Sequence, residues 1–304
     1  MPTRAQYRRW AAQELGPYYE YASGASDGAG TATLTVGRLA STMAVSDLLT
    51  DMGVIIGTAT GTDQDERYVT TVSAAGVVTV DRVLSATSVW NSKTIEFHGI
   101  IKLLAEWDRL TTDALKRIGE MVEFTVTPTA NATRHSLASA ASWLTDPQWV
   151  YQVGFLTSSE ARGEVDPYEG RRVRGSTEKL LNVVYLVHPT RTFASNETVY
   201  VKAFRPYYTL CRASGGTYGD QSGLSADTDE AIPNVEWVGA AMLIQWARRA
   251  KGTLGGGGSK ALAERQAEWA NLFNEETRKH GLILPERTFV RAPRASAWPQ
   301  WRGY

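Results

Sequence analysis

The residues that could carry chemistry in this chain are few and scattered. Cys211 is the only cysteine, so neither an intramolecular disulfide nor a multi-cysteine zinc site is available. A lone thiol of this kind reads as a small buried side chain. Catalysis by it would need a neighbouring histidine as base, and the sequence places none. The four histidines, His98, His135, His188 and His280, include no i,i+4 pair and none of the carboxylate flanking that builds zinc or iron sites. His188 precedes Pro189 and His280 ends a helical segment, so both read as structural.

The acidic clusters are equally bland. Asp63-Gln64-Asp65-Glu66 alternates acids but lacks the central glycine and distal glutamate of a calcium loop. Asp227-Thr228-Asp229-Glu230 is accounted for as the cap of the helix that follows. Residues 255–260, GGGGSK, lack the Gly-Lys-Ser/Thr ending through which a lysine reaches phosphates. The basic stretch 170–175, GRRVRG, has no interleaved aromatics and reads as a solvated strand or loop. A glycosidase would need two carboxylates converging across a cleft, and nothing in the order of residues supplies that. The expectation is therefore a protein with no catalytic, cofactor-binding or metal-binding set, and not an enzyme.

Composition points the same way. The chain has 304 residues, 43% hydrophobic and 21% charged, enough to bury roughly three quarters of its unfolded surface without metal or disulfide staples. Lys+Arg and Asp+Glu are both 32, so no global field draws it to nucleic acid or anionic membrane. No run approaches the about 20 apolar residues of a membrane span, and the charged opening MPTRAQYRRWAAQELG lacks a signal-peptide core. No membrane partner is expected. Ten tryptophans are many for this length. Trp10, Trp143, Trp149, Trp298 and Trp301 fall near element ends or in irregular segments, and tryptophan is enriched at interfaces.

The elements that would position any site read as α+β: three main helices forming a bundle, two β-rich regions of barrel or sandwich type, and an extended C-terminal tail. Residues 1–17 predict a helix capped by Thr3 and stopped at Gly16-Pro17. Residues 18–99 predict a β-rich domain with strands at 31–36, 54–56, 67–73, 77–80 and 93–97, a hairpin turn at Ala75-Gly76 and a helical turn near 47–52. From Ile100 to Val122 apolar residues recur at helical spacing, and 100–125 is expected to be a bundle helix. Residues 126–230 predict a second β-rich region, with strands at 150–156, 171–174, 181–187 and 198–203 and an exposed loop over 215–229. Residues 231–280 predict a helical hairpin: one helix over 235–251, capped by Asp229 or Asn234, a flexible 252–259, and a second helix capped by Ser259 and stopped at His280-Gly281.

Residues 281–304 are different in kind. LILPERTFVRAPRASAWPQWRGY has three prolines, one acid and four arginines, and no periodicity. Such a segment does not bury enough of itself to fold alone, yet its Trp, Phe and Arg content is that of a binding peptide.

This succession resembles the head-to-tail connector (adaptor or neck) proteins of tailed bacteriophages. The resemblance rests on the N-terminal helix, TATLTV, VIIGTATGTDQDERYVTTVSAAGVVTVDRVL, IIKLLAEWDRLTTDALKRIGEM, NVEWVGAAMLIQWARRA and the glycine loop with its long charged helix. It implies a virion structural protein, made in the host cytoplasm and located at the head-tail junction. Twelve copies would form a ring below the portal protein, with double-stranded DNA passing through the lumen and a neighbouring tail or neck protein beneath. The resemblance further implies that residues 281–304 dock on the portal, with Phe289, Trp298, Trp301 and Tyr304 as anchors and Arg287, Arg291 and Arg294 as charge partners. Two other functions remain open at this point: a tail tube or tail-completion protein, and a glycan-degrading enzyme on a β scaffold.

Overall fold

The computed structural model describes residues 1–22, 32–35, 50–56, 65–72, 77–82, 94–157, 177–180, 183–187, 192–195, 197–250 and 256–280. The hairpin turn at Ala75-Gly76, the expected strand at 171–174 and the tail 281–304 lie outside them. The architecture is α+β in two compact units, residues 1–118 with 210–304, and residues 119–209.

In the first unit, helix α1 (Arg4–Leu15) opens on a capping box. The Thr3 hydroxyl accepts from Gln6 N and the Gln6 side chain accepts from Thr3 N, satisfying two of the amides a helix start leaves unpaired. Strands β1 (Tyr18–Ala22), β2 (Thr33–Thr35), β3 (Gly53–Ile56), β4 (Asp65–Val72), β5 (Val77–Val80) and β6 (Thr94–His98) form one antiparallel sheet in the order β1-β6-β3-β4-β5-β2. Strand β4 pairs with β3 along its first half and with β5 along its second, and its register shifts between Val69 and Thr71. A bulge of this kind bends the strand and lets one sheet curl. The curl encloses Leu34, Met52, Val54, Ile56, Val69, Val78, Val80, Ile95 and Phe97. The sheet stays open, with β1 and β2 as its edges, so the expected barrel does not close.

Helix α2 (Leu104–Arg117) follows, and helices α3 (Val235–Ala250) and α4 (Gly256–Lys279) complete the unit. Helices α1, α2 and α4 all pack on α3, which is buried nearly all round, from Trp237 through Ala247. The expected one-sided apolar face is therefore replaced by a central helix, and the helical layer takes in α1, which the sequence set apart from the bundle. The Trp10 ring lies directly on Gly239, where a Cβ would collide with it. Gln245 is buried within α3 with neither amide atom hydrogen-bonded.

Several expected boundaries move. The helix predicted over 100–122 starts at Leu104 and stops at Arg117. Residues Gly119–Val126 form strand β7, which pairs along its length with the ten-residue β12 (Glu197–Pro206). Met121 and Val122, placed on the helical stripe by spacing alone, follow the pairing instead, because β-branched and aromatic neighbours favour a pleated surface once a partner strand is present. Helix α4 begins at Gly256, so Ser259 lies inside it. Helical glycines cost about 1 kcal/mol each relative to alanine, offset by the packed turns downstream around Leu262, Trp269 and Phe273.

The second unit holds β7, β8 (Arg134–Ser136), β9 (Val150–Thr157), β10 (Thr177–Leu180), β11 (Val183–Val187) and β12. They make two three-stranded antiparallel sheets, β7-β12-β9 and β10-β11-β8. Val150, Val153, Val199, Val201 and Ala203 of the first sheet share a core with Val184 and Leu186 of the second and with Leu137, Leu144 and Phe193 from the connections. Alternation along β12 buries every second residue from Glu197 to Ala203, as one covered sheet face requires.

Candidate functional site

The densest set of polar side chains lies where β6 meets the helices. Strand period places Ile95 and Phe97 in the sheet core and sends Glu96 and His98 to the opposite face, toward α1 and α2. Arg8 of α1 lies there, 1% exposed like Glu96. Its guanidinium donates to both Glu96 oxygens at 2.9 Å and to both Asp227 oxygens at 2.7 Å. Around this double fork, Arg9 Nε donates to Glu96 Oε1 at 3.0 Å, and Arg4 Nε lies 3.0 Å from Asp108 and 3.3 Å from Asp227. Planar bidentate pairing of this kind suits arginine alone among the cations.

The electrostatics follow from geometry. Burial by itself would neutralise Glu96, but Arg8 and His98 outweigh it and hold its pKa well below the usual carboxylate range. Burial also works against the Arg8 charge, and Glu96 and Asp227 overcome it and raise the pKa. Asp108 behaves in the opposite way: burial raises it to about 6, only partly offset by Arg4 and Arg8. Every charge at the centre of the cluster has a partner, so it acts as a clamp joining α1, β6 and the 225–231 segment. A buried ionic set of this type fixes one arrangement more surely than it adds stability.

The segment 225–231 corrects a sequence expectation. Asp227 and Asp229 do not cap α3; that task falls to Asn234, whose Oδ1 accepts from Trp237 N at 2.8 Å. Instead the carbonyls of Asp229 and Asp227 accept from Arg4 N and Ala5 N, capping α1 from more than 200 residues away. The Asp229 carboxylate holds its own turn through Ser225 N, Ala226 N and the Ser225 hydroxyl, and Glu230 pairs with Arg212. The loop expected to be exposed over 215–229 is exposed in part only; Asp227 and Asp229 are buried. Glu66, from the other acidic cluster, accepts from Leu104 N and so caps α2.

The remaining candidates separate. Cys211 is buried, and burial pushes its thiol up to about 12, so it carries no thiolate near neutral pH. His280 stacks on the Trp237 ring at 4.7 Å between centroids. His135 lies on β8, its pKa lowered by burial. His98 is the exception to the reading of isolated histidines. Its Nε2 lies 3.1 Å from Glu96 Oε2, its ring packs edge-on against Tyr18 and tilted against Trp107, and its Nδ1 has no hydrogen-bond partner. The i,i+2 spacing Glu96-Phe97-His98 is the signal that could have found the pair. Alternate polar residues on a strand ordinarily face water, so that spacing alone does not mark a buried pair.

His98 also lines a shallow surface depression too small to hold a water molecule, together with Leu15, Pro17, Ile100, Ile101 and Trp107. Beside it, Ile100 and Leu103 are 44% and 42% exposed, although spacing had put both on the buried stripe of a helix. The proposed docking residues Arg287, Phe289, Arg291, Arg294, Trp298, Trp301 and Tyr304 lie outside the described residues. Among the described residues, no group of three or more His, Cys, Asp and Glu is arranged to hold a metal ion, and no helix is long and apolar enough to cross a membrane. Comparison with protein-family models, curated proteins and solved structures finds no match to this chain.

Proposed function

We propose that this chain is a structural subunit of the head-to-tail connector of a tailed bacteriophage, assembling as a closed ring below the portal protein. In this reading the ring has twelve copies, DNA passes through its lumen, and residues 281–304 link each subunit to a neighbouring component. The observation that carries the reading is the tail itself: four arginines, three prolines, Phe289, Trp298, Trp301 and Tyr304 in a stretch without periodicity, following directly on helix α4. Aromatic and arginine anchors on a segment that does not fold alone are the composition of a docking peptide. The clamped α1 and the central α3 support it as a rigid platform on which such a peptide is carried. Identical head-to-tail contacts closing on themselves give a ring.

A second reading, a tail-tube or tail-completion protein, draws on the second unit. Tyr151 on edge strand β9 and Leu180 on edge strand β10 are half-exposed, as self-stacking through sheet edges would use. Mass measurement in solution, alone and with portal protein, separates the two. A ring, or a monomer that joins a ring-shaped portal complex and loses that ability when residues 282–304 are deleted, supports the connector. Open-ended stacking that survives the deletion supports the tail tube. A monomer that binds no virion component refutes both.

A further inference from the structure

Helices α2 and α3 pack on each other with their C-terminal turns side by side, joined by the bond from Arg249 to the Asp113 carboxylate at 2.9 Å. Lys116 and Arg117 occupy the last turn of α2, and Arg248 and Arg249 the last turn of α3. Four cations from two distant parts of the sequence therefore meet at one place, which the zero net charge of the whole chain conceals. Cations at a helix C-terminus offset its macrodipole, equivalent to about half a charge per helix, and that accounts for one or two of them. It does not account for Arg117. The Arg117 side chain is half-buried, yet it makes no hydrogen bond or ion pair with a described residue. Burial lowers its pKa, and Arg248 and Arg249 lower it further against the pull of Asp113, which is already bonded to Arg249. A partly desolvated guanidinium crowded by two others is relieved by an anion placed among them.

The surface at these turns fits a phosphate backbone better than a folded protein. Protein interfaces are built around an apolar centre, whereas nucleic-acid interfaces are polar and strongly basic. Lys116, Arg248 and Arg249 are exposed, and the exposed apolar residues beside α2, Ile100 and Leu103, lie at its opposite, N-terminal end. Guanidinium forks pair bidentately with phosphate oxygens, and such contacts carry no base sequence information. We propose that Arg117, Arg248 and Arg249, with Lys116 beside them, form a contact surface for the sugar-phosphate backbone of double-stranded DNA, without base readout. The proposal rests on the reading of the chain as a subunit with DNA in its lumen for the source of the duplex, and it names the side chains that touch it.

The test titrates the full chain into a fluorescein-labelled DNA duplex of arbitrary sequence, read by anisotropy at salt from about 50 to 200 mM. Binding is expected to fall with salt and to be the same for duplexes of different sequence. Arg117→Gln and Arg249→Gln are each expected to weaken it by about three- to tenfold at the lowest salt and to make the slope of log K against log salt shallower by about 1. Asp113→Asn acts in the opposite direction, removing the carboxylate among the arginines and tightening binding by a similar factor. Arg278→Gln, at the far end of the α3–α4 hairpin where Glu276 meets Asn234, is expected to leave binding unchanged. Arg117→Gln also relieves like-charge crowding, so its urea midpoint is expected to hold or rise; a fall in midpoint together with affinity makes Arg117 structural and overturns its assignment. No binding at about 50 mM salt, equal affinity in the arginine variants, or weaker binding by Asp113→Asn overturns the proposal. Polyglutamate that competes as well as unlabelled duplex at equal charge assigns the patch to an acidic protein and overturns it too. If DNA binding fails while the chain still forms rings or joins the portal, this contact falls and the connector reading stands. If the arginines bind DNA but the chain never assembles, the contact stands and the connector reading falls.

Discussion

Replacing Arg8 by methionine removes the centre of the clamp while keeping an unbranched apolar stem. Glu96 and Asp227, both buried, are then left facing one another, Glu96 with Arg9 and His98 and Asp227 with Arg4. Removing one partner of a buried pair costs about 3–5 kcal/mol, and the arginines that remain put this case at the lower end, about 3 kcal/mol at pH 7.5. The protein has one escape, which is to protonate a carboxylate. From the ordinary glutamate value of 4.5, neutralising Glu96 costs about 4 kcal/mol at pH 7.5 but under about 1 kcal/mol at pH 5, at about 1.4 kcal/mol per pH unit. The escape is of no use at the higher pH and limits the damage at the lower. In the variant the folded pKa of Glu96 rises above its unfolded value, so stability is lost as pH climbs through the new folded pKa; in the parent it is depressed, and its contribution is lost only as pH falls below about 4.5. Urea denaturation of both proteins at pH 7.5 and pH 5.0 is expected to show a destabilisation about 2 kcal/mol larger at the higher pH. A cost under about 1 kcal/mol at pH 7.5, or the same cost at both, would refute the account of the clamp as a charge-matched core.

Asp108, raised to about 6 by burial, binds a proton more readily folded than unfolded, so it favours folding as pH falls from about 7 toward 4; Asp108→Asn is expected to remove that part of the stability–pH profile. Gln245→Met removes two unpartnered buried amide atoms at similar volume and is expected to raise stability by about 1–2 kcal/mol, read from the denaturant midpoint at unchanged slope. Gly239→Ala sets a Cβ against the Trp10 ring and is expected to cost about 1–3 kcal/mol; the pair Gly239→Ala with Trp10→Leu should recover part of it in a double-mutant cycle. Cys211, buried with its thiol near 12, is expected to react with a thiol reagent at pH 8 only on unfolding, so labelling as fast in the native protein as in urea would contradict its placement.

Local chemistry in the sequence determined much of this molecule. Thr3 with Gln6, the Gly16-Pro17 stop, the Val77–Val80 strand and the Asn234 cap are each written within a few residues, and each is where spacing and residue type put it. Composition likewise marked residues 281–304 as unlike the rest. Tertiary structure decided the places where two readings of one local pattern were equally good. The apolar positions from Ile118 to Val122 satisfy a helix as well as a strand, and only β12 alongside turns residues 119–126 into β7. Glu96 and His98 alternate with Ile95 and Phe97 as solvent-facing residues would, and only α1 and α2 packed on that face make them the floor of a buried clamp. Asp227 and Asp229 sit where a cap for α3 is expected, yet they serve α1, because hydrogen bonds and ion pairs act through space over a few ångströms and take no account of the 220 residues of chain between them.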